Sequence, residues 1–161
     1  NVLPKHLASK LVDIVVASER DRLTDVVSAA LVSFVERIKL ESQTVVERLH
    51  RQINTHGLAV IGTVATLNTL KWGQADMLVL DKSYDPGPGW MCEACKAISL
   101  NRALHNICPE CGSEELRDLN VKEEMVRMAE RSGCRVEIVD HNDVLMRFGG
   151  VGCLLRYRMP A

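Results

Sequence analysis

The sequence predicts an α/β fold with N-terminal helices and a small cysteine-bearing insertion. Helical periodicity fills the first third of the 161 residues, short apolar runs then alternate with helical stretches, and two Cys-x-x-C pairs interrupt that alternation. The length suits one domain with a satellite, since single domains run to ~100–150 residues. Nearly half of the residues are apolar and a quarter charged, with a formal net charge of -1, which argues against disorder and against wholesale coating of nucleic acid. No apolar run approaches the ~20 residues of a membrane-spanning helix, and no signal peptide opens the chain, so a cytoplasmic protein without a membrane role is expected.

Leu3, Leu7, Leu11, Ile14 and Val15 stand at helical spacing, with Pro4 tolerated in the first turn, and predict an amphipathic helix over Leu3–Val16. A second helix follows from Leu23, Val26, Val27, Ala30, Leu31, Phe34, Val35 and Ile38. A third is expected to open near Ser42 or Thr44, to bury Val45, Val46, Leu49 and Ile53, and to stop at Gly57 as a left-handed cap.

The pattern then changes. Leu58 to Ile61 reads as a strand, Val64, Leu67 and Leu70 as one face of a helix ended by Gly73, and Asp76 to Leu80 as a strand buried on both faces. This βαβ unit predicts a right-handed crossover and a parallel strand pair. Tyr84 to Gly89, with two prolines and two glycines, should break regular structure and open an insertion. Beyond it, Asn120 or Asp118 can cap a helix carrying Val121, Met125, Met128 and Ala129, stopped by Gly133. Strands are expected over Cys134–Val139 and Cys153–Arg158, joined by a polar link with a half-turn, and the order as a whole describes an α/β sandwich.

Cys92, Cys95, Cys108 and Cys111 form Cys-x2-Cys-x12-Cys-x2-Cys. Cytosolic thiols stay reduced, which disfavours a disulfide staple. Two residues between sulfurs let each pair converge on one ion at ~2.3 Å, and two such knuckles complete a tetrahedron. The turn-rich, bipartite form favours one structural Zn2+ per chain in a zinc ribbon, although the spacing alone leaves rubredoxin-type iron open. Trp90-Met91-Cys92-Glu93-Ala94-Cys95 superficially resembles a thioredoxin-type redox pair, but an extra Met separates Trp90 from Cys92 and no helix signal follows. Four cysteine ligands leave no open position for water, so catalysis by the metal is not expected, and His105 reads as a loop histidine that could at most replace one cysteine.

Other constellations are weaker. Gly149-Gly150-Val151-Gly152 precedes a strand, where a phosphate loop would follow one, so its glycines are expected to serve backbone conformation and close approach. Cys134 and Cys153 read as small core residues. Histidines 6, 50, 56, 105 and 141 show no catalytic pattern, and His141-Asn142-Asp143 reads as turn and cap chemistry. Arg147, Arg156 and Arg158 could meet RNA phosphate or an acidic partner, or simply be solvated at strand ends.

GLAVIGTVATLNTLKWGQADMLVL, from Gly57, and RFGGVGCLLRYR, from Arg147, resemble the C-terminal domain of archaeal and eukaryotic class-1 peptide chain release factors, a family that includes the rescue factor Pelota. The similarity covers Leu3 to Arg158, and the ending is nearer the release-factor form than Pelota's. It implies a three-layer α/β/α sandwich like that of the kink-turn-binding ribosomal proteins, built from residues 1–83 and 115–161, with a zinc-ribbon subdomain inserted at 84–114. It also implies a non-catalytic interaction domain for termination or ribosome rescue, docking on the ribosome, a translational GTPase or a recycling ATPase, without a small-molecule substrate. Structured-RNA binding is the alternative, disfavoured by the neutral turn Gly62 to Thr66. The family's Gly-Gly-Gln loop does not occur here, and Trp72-Gly73-Gln74 is read as a helix end. Starting at Asn1 without an initiator Met, the sequence reads as a domain of a longer protein, a bacterial relative of these factors.

Overall fold

The structure is a computed structural model that describes residues 14, 16–18, 21–100 and 106–158. The helix expected over Leu3–Val16 falls almost wholly outside these residues, as does His105. The chain divides into two compact units, residues 1–44 and 45–161, and helix α1, Leu23–Asn54, contributes to both.

The second and third helices of the sequence reading are therefore one helix of 32 residues. Thr44, expected as a cap, turns its hydroxyl back to the Leu40 carbonyl at 2.8 Å, so it bonds within the helix and does not start a new one. In the first unit the apolar stripe Leu23, Val27, Leu31, Phe34, Val35 and Ile38 stays at least 45% exposed. At the C-terminal end the left-handed step falls on His56, φ 52°, one residue before the expected Gly57.

In the second unit β1 (Ala59–Ile61), α2 (Thr63–Lys71), β2 (Ala75–Asp81), β3 (Pro88–Cys92), β4 (Ile98–Ser99), β5 (Leu116–Asn120), α3 (Val121–Arg131), β6 (Arg135–Val139), α4 (Asp143–Arg147) and β7 (Val151–Leu155) follow in order. Four strands form one sheet in the order β1-β7-β2-β6, with β7 antiparallel to both neighbours and β2 parallel to β6. The expected β1–β2 pair is thus corrected. The two strands run in the same direction, but β7 lies between them, because the last strand gains ladder hydrogen bonds on both of its edges there. β7 also starts and ends earlier than expected, at Val151 and Leu155.

Alternation along β2 explains the burial on both faces. Leu78 and Leu80 meet Leu67 and Leu70 of α2 and Met125 and Ala129 of α3. Met77 and Val79 meet Val46 and Leu49 of α1 and Leu145 of α4. The sheet edges are a three-residue β1 and a β6 carrying Arg135 and Glu137, features that discourage edge-to-edge pairing. Gly149 and Gly150, with φ of 86° and 73°, turn the chain from α4 into β7. Gly152 is needed for close approach: a Cβ there would stand 2.8 Å from the Val60 carbonyl and 3.0 Å from Leu49 Cδ2.

A second sheet has the order β4-β3-β5. Its β3 begins at Pro88, inside the stretch expected to lack a ladder. Proline is tolerated at the first position of a strand, where a missing N–H matters least. Asn120 ends β5 and also caps α3, its side chain accepting from the Glu123 N–H at 3.1 Å, as expected. Gly133 stops α3 with φ 63°.

At the end of β2, Asp81 is fully buried and accepts from the N–H groups of Ser83 and Asn142, each at 2.9 Å, and from the Ser83 hydroxyl. Burial works to raise its pKa, but these hydrogen bonds outweigh burial and hold the carboxyl below its ordinary value. A depressed folded-state pKa contributes stability above the unfolded-state value and loses it as pH falls through the folded value. Asp81→Asn should cost about 1–3 kcal/mol at neutral pH. In urea unfolding followed at neutral pH and again below ~4, its deficit against wild type should shrink on acidification; a deficit equal at both pH values would mean that the charge does not hold this turn.

Candidate metal centre

The second sheet positions the cysteines. In the β3–β4 hairpin Trp90 pairs with Ser99 and Met91 with Ile98, and Cys92 ends β3 opposite Leu116 of β5. The Lys96 N–H then donates to the Cys92 carbonyl and the Cys92 N–H to the Ala97 carbonyl, both at 2.9 Å. The second knuckle repeats the turn: the Gly112 N–H donates to the Cys108 carbonyl at 2.9 Å and the Cys108 N–H to Ser113 at 2.8 Å. In each, the residue after the second cysteine is left-handed, Lys96 at φ 59° and Gly112 at φ 74°. Glycine adopts that conformation freely, whereas lysine does so at a cost of roughly 1–2 kcal/mol.

This repetition brings together all four sulfurs expected from the spacing. They lie within 4.8 Å of one another and could hold a metal ion. The Cys92–Cys111 and Cys95–Cys108 separations are 3.5 and 3.6 Å. Sulfurs tetrahedrally placed ~2.3 Å from an ion stand about 3.8 Å apart, so the arrangement fits such an ion and is far from the ~2.05 Å of a disulfide. Cys92 and Cys108 are buried, Cys95 is half-buried and Cys111 is exposed, with Trp90, Ala97 and Leu116 packed around them.

Backbone donors already favour charge on one sulfur. The N–H of Cys95 directed at Cys92, with lesser help from Cys111, draws the Cys92 thiol down to about 6. At Cys111 the Ser113 N–H works to lower the pKa, but the sulfurs of Cys95 and Cys92 together outweigh it and hold the thiol up at about 12. Four thiolates cannot coexist at this spacing without a cation. Beside them Glu93 takes ion pairs at 2.7 Å from both Lys96 and Arg117, and the hydrogen bonds from these two cations lower its pKa.

Cys134 and Cys153 lie buried in the main sheet's core, away from the cluster, and burial raises both thiols. Asn142 caps α4 by accepting from Val144 and Leu145, while exposed His141 faces Asp143 at 3.2 Å. Arg156, considered for RNA phosphate, donates to the carbonyls of Ser132 and Gly133 at 3.2 and 3.0 Å and so satisfies the end of α3. The sequence reading missed the Glu93–Arg117 link across β3 and β5, which no local spacing signals. It also missed the left-handed Lys96, which the match of Cys95-Lys96 to Cys111-Gly112 could have suggested.

A family model described as eRF1 domain 3 matches residues 39–159. The peptide chain release factor subunit 1 of Thermococcus kodakarensis is 28% identical over 139 residues, covering 74% of this chain and 33% of the relative. The chain thus spans about a third of the length of the curated relatives it matches. Among solved structures, the C-terminal domain of a peptide chain release factor from Methanosarcina mazei has a TM-score of 0.63 at 20% identity, covering 88% of this chain and 99% of that one. An archaeal Pelota, in a model of ribosome-bound Pelota and ABCE1, has a TM-score of 0.53 at 20% identity, covering 93% of this chain and 36% of that one.

Metal analysis of the purified chain should give about one ion per chain, and Cys92→Ser or Cys108→Ser should abolish it and lower the melting temperature. Binding displaces thiol protons, so metal should be released as pH falls, a loss that a chromogenic chelator can follow. Variants with wild-type metal content and melting would remove the centre.

Proposed function

This chain belongs to the eRF1 domain 3 family, and from that membership we propose that it is a non-catalytic, zinc-stabilised protein-interaction domain of a factor acting in translation termination or ribosome rescue. The observation that carries the reading is the pairing of the family match over residues 39–159 with the four-sulfur cluster. Cys92, Cys95, Cys108 and Cys111 hold one Zn2+ with all four positions filled, so the ion fixes the insertion's shape and has none left for a reacting water. The second sheet, closed by β5, is the inserted zinc ribbon, and the four-stranded sheet with α2, α3 and α4 is the α/β domain. Helices on both faces of the four-stranded sheet support a three-layer α/β/α sandwich, the arrangement related to the kink-turn-binding ribosomal proteins.

The partners are the ribosome and a translational GTPase or recycling ATPase, in the cytoplasm. The likeness to the Pelota in a model of ribosome-bound archaeal Pelota and ABCE1 supports this choice. No helix among the described residues is long and apolar enough to cross a membrane, and the first βα turn, Gly62 to Thr66, carries no charge with which to grip RNA.

Co-sedimentation of the zinc-loaded chain with ribosomes, alone and with a purified translational GTPase or recycling ATPase, tests the reading. Binding that survives ribonuclease treatment of the GTPase or ATPase mixture is expected. Failure to bind either protein, together with salt-sensitive binding to kink-turn RNA in a filter assay, would replace it with direct RNA recognition.

A further inference from the structure

A groove of about 620 Å³ lies between the second sheet and helices α2 and α3. Its apolar lining is Leu70 of α2, Met91 of β3, Ile98 of β4 and Met128 of α3. Leu70 is buried, and the other three are half-buried, so the groove keeps apolar surface in contact with water. Around this lining stand Lys71, Lys96, Arg117, Arg127 and Arg131, all exposed, against the carboxylates of Glu93 and Glu124.

The balance of charge selects the occupant. The whole chain carries -1, yet this one groove gathers five cations and two carboxylates. Glu93 is shared by Lys96 and Arg117, and Glu124 holds Arg127 at 2.6 Å. Among the described residues, no ion pair takes up Lys71 or Arg131, which leaves positive potential at the mouth. Among the described residues no aromatic side chain lines the groove to give a base a platform for stacking, and the methionine and isoleucine floor calls for apolar side chains.

We propose that this groove docks an acidic amphipathic peptide segment of a partner protein, with apolar side chains on Met91, Ile98 and Met128 and carboxylates toward Lys71 and Arg131. The site extends the interaction role to a defined surface, needs the second sheet to be folded, and does not depend on which metal holds it. Such a groove combines the two features by which peptide-binding surfaces gain affinity and register, an apolar anchor site and a complementary charged rim.

Fluorescence anisotropy on the full metal-loaded chain tests it with three labelled probes: a peptide of about 14 residues alternating Glu with Leu, the same peptide with Lys for Glu, and single-stranded oligouridine. The acidic peptide should bind, with amide and methyl NMR shifts centred on Met91, Ile98 and Met128, and the basic peptide should not. Lys71→Glu with Arg131→Glu should weaken the acidic peptide at least about tenfold, ~1.4 kcal/mol, without changing the melting temperature; Lys71→Gln with Arg131→Gln should weaken it less. Equal binding of acidic and basic peptides, indifference to both pairs of substitutions, or oligouridine binding in place of acidic-peptide binding would overturn the assignment. If acidic-peptide binding fails while the GTPase or ATPase still binds, the groove falls alone and the domain's role stands.

Discussion

The second sheet depends on one electrostatic constraint: four cysteine sulfurs stand within 4.8 Å of one another. As thiols they are poor hydrogen-bonding groups and weakly attractive neighbours; as thiolates they repel. The gap between Cys92, drawn down to about 6, and Cys111, pushed up to about 12, is the mark of that conflict. A divalent cation at the centre would resolve it by letting all four ionise, which makes the fold of the knuckles and the binding of the ion a single coupled event. The surrounding apolar group, Trp90, Ala97 and Leu116 with the sulfurs themselves, is too small to fix such a structure alone.

The larger sheet needs no such help. Its centre is β2, whose Leu78, Val79 and Leu80 have no exposed surface, and helices cover both of its faces. Burying a side chain of this kind is worth roughly 1.5–3 kcal/mol. The two sheets are then joined through Asn120, which finishes a ladder on one side and opens α3 on the other. The same helix α3 carries the exposed Arg127 and Arg131 and the half-buried Met128 beside the second sheet.

What the sequence made legible follows from how local each signal is. The knuckles are written in spacing, β2 in an unbroken apolar run, and α3 in the Asn120 cap and Gly133 stop. The order of the main sheet was not legible, because β7 lies between β1 and β2 by pairings across 91 to 95 residues with β1 and 71 to 80 with β2, which the crossover rule for neighbouring strands does not address. The continuity of α1 was missed for a different reason: a hydroxyl near a helix can cap it or bond back to the preceding turn, and Thr44 does the second. Asp81 was not singled out in the sequence, because part of what gives it a structural role is the return of Asn142, 61 residues on, to its carboxylate.

X-ray absorption at the zinc edge on the chain as purified tests the central claim most directly. Four sulfur scatterers at ~2.3 Å, with no nitrogen or oxygen in the inner shell, is the predicted result. A mixed shell containing oxygen or nitrogen, or a metal-free chain whose cysteines have paired as disulfides, would contradict the claim that these four thiolates and one ion hold the insertion in shape.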